Sequence, residues 1–248
     1  MTEEIKRFLN KLFLEEAARE EQITLDWNLP NKRKYSMARS LRGINETKSW
    51  YYLFVENDLE KAKQCFFLYG KVQEYLCKST TVNMILGMTQ DNTYALLSDA
   101  KDLIYGMVNW KYAGYEKDIK KGSLKYIIPL VAIGEDEKAL ALLDLFHIKH
   151  RKMGLKEENE AIIRAIISGE TEEVNRLLQI FLLPRNHKKT NGIYELRSEL
   201  FSLPALGFAK LAWLRGVEVD IDHPLIPKAL LPIQPNSIYD NTYDFLID

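Results

Sequence analysis

The chain has 248 residues, 46% of them hydrophobic, and a formal net charge of -1. That length and apolar content suffice for a sizeable buried core and exclude a disordered chain. A charge this near zero gives no overall field toward nucleic acid or an anionic membrane, so neither is expected as a partner and any charged surface must be argued locally.

The N-terminus, from Met1 to Lys6, lacks the basic segment and apolar run of a secretory signal. The longest apolar run, Tyr126 to Ile133, contains Pro129 and falls far short of the roughly 20 residues of a membrane span. A cytoplasmic protein is expected. Cys65 and Cys77 fall in one predicted helix, about 18 Å apart at helical rise, which is too far for a disulfide.

Taken in order, Ile5, Phe8, Leu9, Leu12 and Phe13 recur at helical spacing behind Thr2, Glu3 and Glu4, which supply a cap and an acidic first turn. After the Pro30 loop, Tyr35, Met37, Ala38, Leu41 and Ile44 resume that spacing. The run from Trp50 to Val55 lacks turn-bounded partner strands and reads as helix. Asn57 or Asp58 then caps a strongly amphipathic helix through Leu76. Further helices are predicted over 80–86, 92–110, 117–133, 136–152, 157–167, 171–183 and 194–215.

Two stretches resemble each other, Val131 to Phe146 and Ile166 to Phe181, with Gly134 and Gly169 thirty-five residues apart. That period is near the tetratricopeptide repeat, but the consensus Trp, Gly and Tyr positions are absent. In both copies a helix ends on glycine and an acidic residue opens the next, the pattern of stacked helical hairpins. The expected fold is therefore all-α: a single domain over 1–248, built of stacked antiparallel hairpins with roughly 9 to 11 helices by this spacing.

Beyond Gly216 the pattern changes, and four of the eight prolines fall between Pro224 and Pro235. Residues 217–248 form an irregular, Pro-rich, acidic tail within the same domain. Alternation of Val217, Val219 and Ile221 with Glu218 and Asp220 predicts an extended segment or short strand. Leu225, Ile226, Leu230, Leu231, Ile233, Tyr239, Tyr243 and Phe245 are expected to anchor the tail to the helical body, because exposing them all is unfavourable. Asp220, Asp222, Asp240, Asp244 and Asp248 face Lys228 alone from Asp220 onward. Asp220, Asp222, Tyr239, Asp240, Tyr243 and Asp244 are the candidate partner-contacting residues, since acidic and tyrosine-bearing surfaces suit a basic protein partner.

Catalytic motifs are missing. No glycine-rich phosphate loop, His-Glu-x-x-His, Gly-x-Ser-x-Gly or Cys-x-x-Cys occurs. His147 and His150 share a helical face but lack a third ligand, and they also suit a basic helix end. Glu157, Glu158, Glu160, Glu172 and Glu173 sit where helix starts favour acids. Lys117, Lys121 and Lys125 have the spacing of a helical stripe and read as a solvated face. Tyr51, Tyr52, Tyr69 and Tyr105 read as core residues of amphipathic helices. No catalytic residue, cofactor or metal site is expected.

Phe201 to Gly216 (FSLPALGFAKLAWLRG), then Val219 to Pro232 (VDIDHPLIPKALLP) and Tyr243 to Leu246 (YDFL) resemble bacterial polymorphic-toxin immunity proteins, and specifically the immunity protein 49 family. The resemblance implies a non-enzymatic cytoplasmic protein that binds a cognate secreted toxin and occludes its active surface. Two other classes compete with it. One is a tetratricopeptide-like adaptor that holds a regulatory peptide in a groove, and the other is an enzyme of an unrecognised helical class with a deep polar pocket.

Overall fold

Thr2 caps the first helix as its position suggests, its Oγ1 accepting from the Ile5 amide at 3.3 Å. The computed structural model describes residues 1–30, 33–79, 90–111, 114–149, 155–191 and 195–243. Among these are thirteen α-helices and no strand, so the protein is all-α. In chain order they are α1 (Glu3–Asp26), α2 (Lys34–Tyr51), α3 (Leu59–Ser79), α4 (Gln90–Leu97), α5 (Lys101–Gly106), α6 (Tyr115–Ile119), α7 (Leu124–Ile133), α8 (Asp136–Lys149), α9 (Lys156–Ser168), α10 (Thr171–Leu182), α11 (Pro184–Thr190), α12 (Glu195–Leu200) and α13 (Leu203–Leu214).

Neighbours in sequence are largely neighbours in space. Helix α1 lies on α2, α2 on α3 and α3 on α4, while α7 to α10 pack successively on one another. The two halves meet at α13, which touches α4, α7, α9 and α10. Its residues are buried on every side, including Leu206, Phe208, Ala209 and Leu211. That explains why α13 lacks a polar face. Helix α4 approaches closely because residue 207 is glycine: a Cβ there would collide with Thr93.

The hairpins α7–α8 and α9–α10 turn identically. Gly134 and Gly169 take left-handed φ values of 82° and 75°. The amides of Glu135 and Glu170 reach back to the carbonyls of Leu130 and Ala165, which closes each helix end in the same way. The sequence similarity between the two stretches is thus a shared turn. Pro129 inside α7 has no amide for the Lys125 carbonyl, and Asn92 Nδ2 donates to that carbonyl instead at 3.0 Å.

Helix boundaries correct the sequence reading at several places. The predicted 92–110 helix breaks at Ser98–Ala100, where Asp99 adopts φ 59° and α5 begins. The predicted 117–133 helix breaks at Gly122, with φ 66°. Lys117, Lys121 and Lys125 therefore do not form one helical stripe, and the Lys125 amine lies within 3.9 Å of Asp118. The predicted 194–215 helix divides at Phe201–Ser202, because Pro204 lies in the first turn of α13 and Ser202 sits at its cap position. Helix α11, opened by Pro184, was not anticipated. The run from Trp50 completes α2 and then widens into a π-helical turn over Tyr52–Glu56. The 80–86 prediction lies outside the described residues. Tyr69 is buried as expected, whereas Tyr105 is exposed. Cys65 and Cys77 form no disulfide and both are buried, and no described helix is long and apolar enough to cross a membrane.

Candidate functional site

The tail begins with strict alternation. Val217, Val219 and Ile221 are buried, while Glu218, Asp220 and Asp222 point outward. The segment is extended, but no described strand pairs with it, which corrects the short-strand expectation. It is held instead by α13, through the Val217 amide to the Ala212 carbonyl at 2.9 Å and Trp213 Nε1 to the Val219 carbonyl at 3.3 Å. Extended geometry spaces the three outward carboxylates about 7 Å apart in a row. Lys228 Nζ sits 3.4 Å from Asp222 and 3.8 Å from Asp220, but these carboxylates are 95% and 96% exposed. Such solvated pairs contribute little and leave the row's charge available.

Further along, Ile226, Leu230 and Leu231 bury their side chains as expected, whereas Ile233 stays exposed. Beneath them lies a charged cluster that the sequence did not reveal. Asp99 receives Lys63 Nζ at 2.7 Å on one oxygen and Lys210 Nζ at 2.5 Å on the other, with all three side chains almost wholly buried. Two ammonium groups against one carboxylate need further acceptors. The tail backbone supplies them: the Gln234 carbonyl accepts from Lys63 at 2.5 Å, and the Pro232 and Leu231 carbonyls accept from Lys210 at 2.9 and 3.2 Å. The Gln234 amide in turn donates to Asp99 at 3.2 Å. Burial pulls the Lys210 amine down to about 8, opposed by Asp99. The left-handed turn at Asp99 is what aims its carboxylate into this cluster.

The remaining candidates divide by orientation. Tyr239 packs on Phe67 with ring centroids 4.9 Å apart, and its hydroxyl donates to the Ser98 carbonyl. Asp240 pairs its backbone with the Gln64 amide, at 3.1 and 2.5 Å, and leaves its side chain exposed. Tyr243 is fully buried. Its hydroxyl donates to Glu20 and accepts from Asn45 Nδ2 at 2.7 Å, and burial beside the Glu20 carboxylate pushes the phenol well above its ordinary range. Glu20 also receives Lys48 Nζ at 2.6 Å. Tyr243 is thus consumed inside the fold, and Asp220, Asp222 and Asp240 are the described candidates facing solvent. Asp244 and Phe245 lie outside the described residues.

On α1, α2 and α12 the structure opens a cleft of about 750 Å³, bordered by Arg19, Arg39, Gly43, Trp50, Leu196 and Arg197. At its base Glu46 accepts from the Tyr94 hydroxyl at 2.7 Å and from Arg197 Nη1 at 3.1 Å. Arg197 also donates to the Asn191 carbonyl at 3.1 Å. Burial and the adjacent Glu46 raise the Tyr94 phenol well above its usual range, so it acts as a fixed donor. No sequence motif joins Glu46 to Arg197, because their hydrogen bond spans 151 positions.

His147 bonds Glu160 at 2.7 Å across α8 and α9, and Arg164 links Glu160 to Asp144. His150 lies outside the described residues. Among the described residues no three His, Cys, Asp or Glu side chains gather as a metal site.

Comparison with known families gives one match on this framework. The chain is similar to Immunity protein 49 over residues 140–230. The matched stretch runs from inside α8 through α13 and takes in the outward acidic row. It ends at Leu230, just before the carbonyls that cover the buried lysines. The immunity-family resemblance read from the sequence is therefore supported in that stretch, while Tyr243 and helices α1 to α7 lie beyond it. Neither a curated protein nor a solved structure matches the chain.

Proposed function

We infer that the protein is an immunity protein that binds a cognate toxin domain in the cytoplasm and blocks its active surface without performing catalysis. The observation that carries this reading is the Immunity protein 49 match over residues 140–230. The geometry agrees with it. The acidic row Glu218, Asp220 and Asp222 is presented on a backbone fixed from beneath by Val217, Val219 and Ile221, so a charged surface is held in shape before a partner arrives. A partner with a basic face gains encounter rate from such a row.

Asp220, Asp222, Asp240 and, by its sequence position, Asp244 are assigned to partner contact. Tyr239 and Tyr243 anchor the segment that carries Asp240, while Val217, Val219 and Ile221 anchor the one that carries Asp220 and Asp222. Occlusion would require an interface of about 1,600 Å² in total, typical of specific complexes.

The reading is tested by expressing the protein with the toxin domain encoded beside its gene. Growth protection together with a purified one-to-one complex is expected. A cell killed despite abundant folded protein would remove the proposal.

A further inference from the structure

Gly43 occupies the interior of α2, where glycine is disfavoured relative to alanine because it loses more backbone freedom on folding. Nothing in the fold demands it there. A Cβ placed on Gly43 would meet no atom within 4 Å, so neither close packing nor backbone conformation accounts for it. What the missing side chain does is deepen the cleft between α1, α2 and α12.

The charges around this opening have a definite imbalance. Glu46 is held by Tyr94 and Arg197 at the base. Glu16 lies 3.6 Å from Arg19, which also donates to Ser40 Oγ at 2.9 Å. Arg39 lies over the Tyr35 ring, 5.9 Å from its centroid, and among the described residues has no carboxylate within salt-bridge distance. Three guanidinium groups thus border the cleft against two carboxylates: Glu46 holds Arg197 at 3.1 Å, and Glu16 meets Arg19 only at 3.6 Å without a hydrogen bond on its Oε2, so Arg39 is the surplus cation. Trp50 and Leu196 contribute apolar surface beside them.

We propose that this cleft receives an acidic loop of the partner protein, one of whose carboxylates enters over Gly43 and pairs with Arg39 and Arg19. The proposal rests on the reading that the chain binds a protein partner, and it adds a second contact of opposite charge to the acidic row of the tail. A guanidinium pair matches a carboxylate in geometry as well as charge. A nucleic-acid strand fits less well, because Glu16 and Glu46 would face its successive phosphates. Two contacts of opposite sign also fix the orientation of the partner, which a single acidic surface does not.

The test uses the full chain, isotopically labelled, and two short peptides: Ac-Gly-Asp-Glu-Gly-NH2 and its uncharged counterpart Ac-Gly-Asn-Gln-Gly-NH2. The Gly43 amide and Trp50 indole resonances are followed by NMR. Saturable shifts with the acidic peptide alone are expected, weakened at least tenfold by Gly43→Leu and by Arg39→Glu. Combined Glu218→Gln, Asp220→Asn and Asp222→Asn substitution should leave them unchanged. Gly43→Ala, which keeps α2 helical, serves as the control for folding and should weaken binding less than Gly43→Leu.

Equal shifts with the uncharged peptide, no saturable shift at Gly43, or indifference to Gly43→Leu would overturn the proposal. So would tighter binding of a short single-stranded oligonucleotide at the same residues. The two readings fail separately. Lost growth protection with intact peptide binding counts against toxin neutralisation, and intact protection without peptide binding counts against the cleft.

Discussion

Asp99 and Lys210 meet at 2.5 Å in the interior, and the carbonyls of Leu231 and Pro232 complete the ammonium's shell. An ion pair that on α13 alone would be stranded in apolar surroundings is thereby made tolerable by a segment following it in sequence. The acidic tail is joined to the helical body by charge as well as by packing.

Asp99→Ala should be strongly destabilising. It leaves the Lys63 and Lys210 ammonium groups facing each other without their shared carboxylate, and breaking a buried pair in this way costs about 3–5 kcal/mol. Urea unfolding of the variant against wild type measures the difference, and a loss within 1 kcal/mol or so would contradict the role assigned to Asp99.

Lys210 should leave a signature at alkaline pH. Its amine is held down to about 8 in the fold, against about 10.4 in an unfolded chain. Between those values the unfolded chain binds more protons, so this group's contribution to unfolding free energy rises with pH. Cys65 works in the opposite sense, since burial pushes its thiol up to about 12 and its contribution falls as pH climbs above about 8.5. The clean measurement is the stability of wild type minus that of Lys210→Met, followed from pH 7.5 to 10.5. That difference should increase across the window.

Two mid-helix glycines should respond to alanine with opposite signs. At Gly43 the added methyl meets open space, so the variant should gain about 0.5–1 kcal/mol from helix propensity. At Gly207 the same methyl collides with Thr93, and overpacking, at about 1–3 kcal/mol, should outweigh the propensity gain. Thermal melts of the two proteins provide the comparison.

Tyr243→Phe and neutralisation of the acidic row should separate stability from recognition. The phenylalanine variant keeps the packing but deprives Glu20 and Asn45 of a buried partner, for an expected loss of about 1–3 kcal/mol with unchanged toxin affinity once folded. Glu218→Gln, Asp220→Asn and Asp222→Asn together should leave the melting temperature near wild type. Their effect should appear as slower association with the toxin and a weaker dependence on salt. Stopped-flow binding at two ionic strengths reads both quantities.

Much of this architecture was visible in the spacing of apolar residues. The existence of most helices and the burial of Ile226, Leu230 and Leu231 follow from burying periodic apolar faces. The breaks at Asp99, Gly122 and Ser202 leave little trace in the pattern because a kink of two or three residues barely disturbs a 3.6-residue period. Val217 to Ile221 shows the converse. Alternation correctly marked which residues face inward, but strand pairing depends on a neighbour that this chain does not place there. Tyr243 was grouped with the outward acids on composition, whereas its buried position depends on Glu20 and Asn45, far away in sequence. The Glu46–Arg197 pair was illegible for the same reason, and Gly43 carries meaning only once the space above it is known.

The bond between Tyr243 and Glu20 spans 223 positions, which orders events during synthesis. Helices α1 to α3 can assemble from local contacts while the chain is still emerging, but the Tyr243 phenol that joins Glu20 of α1 to Asn45 of α2 is translated 198 positions after Asn45. Contacts of such separation form late because their loop entropy must be overcome first. Synthesis reaches the carbonyls of Leu231, Pro232 and Gln234 first, which cover the lysines of α13 and α3, and Tyr243 follows to engage Glu20 and Asn45. A stop codon shortly before Tyr243 should therefore act on abundance before it acts on binding, because it leaves Glu20 and Asn45 without the buried phenol.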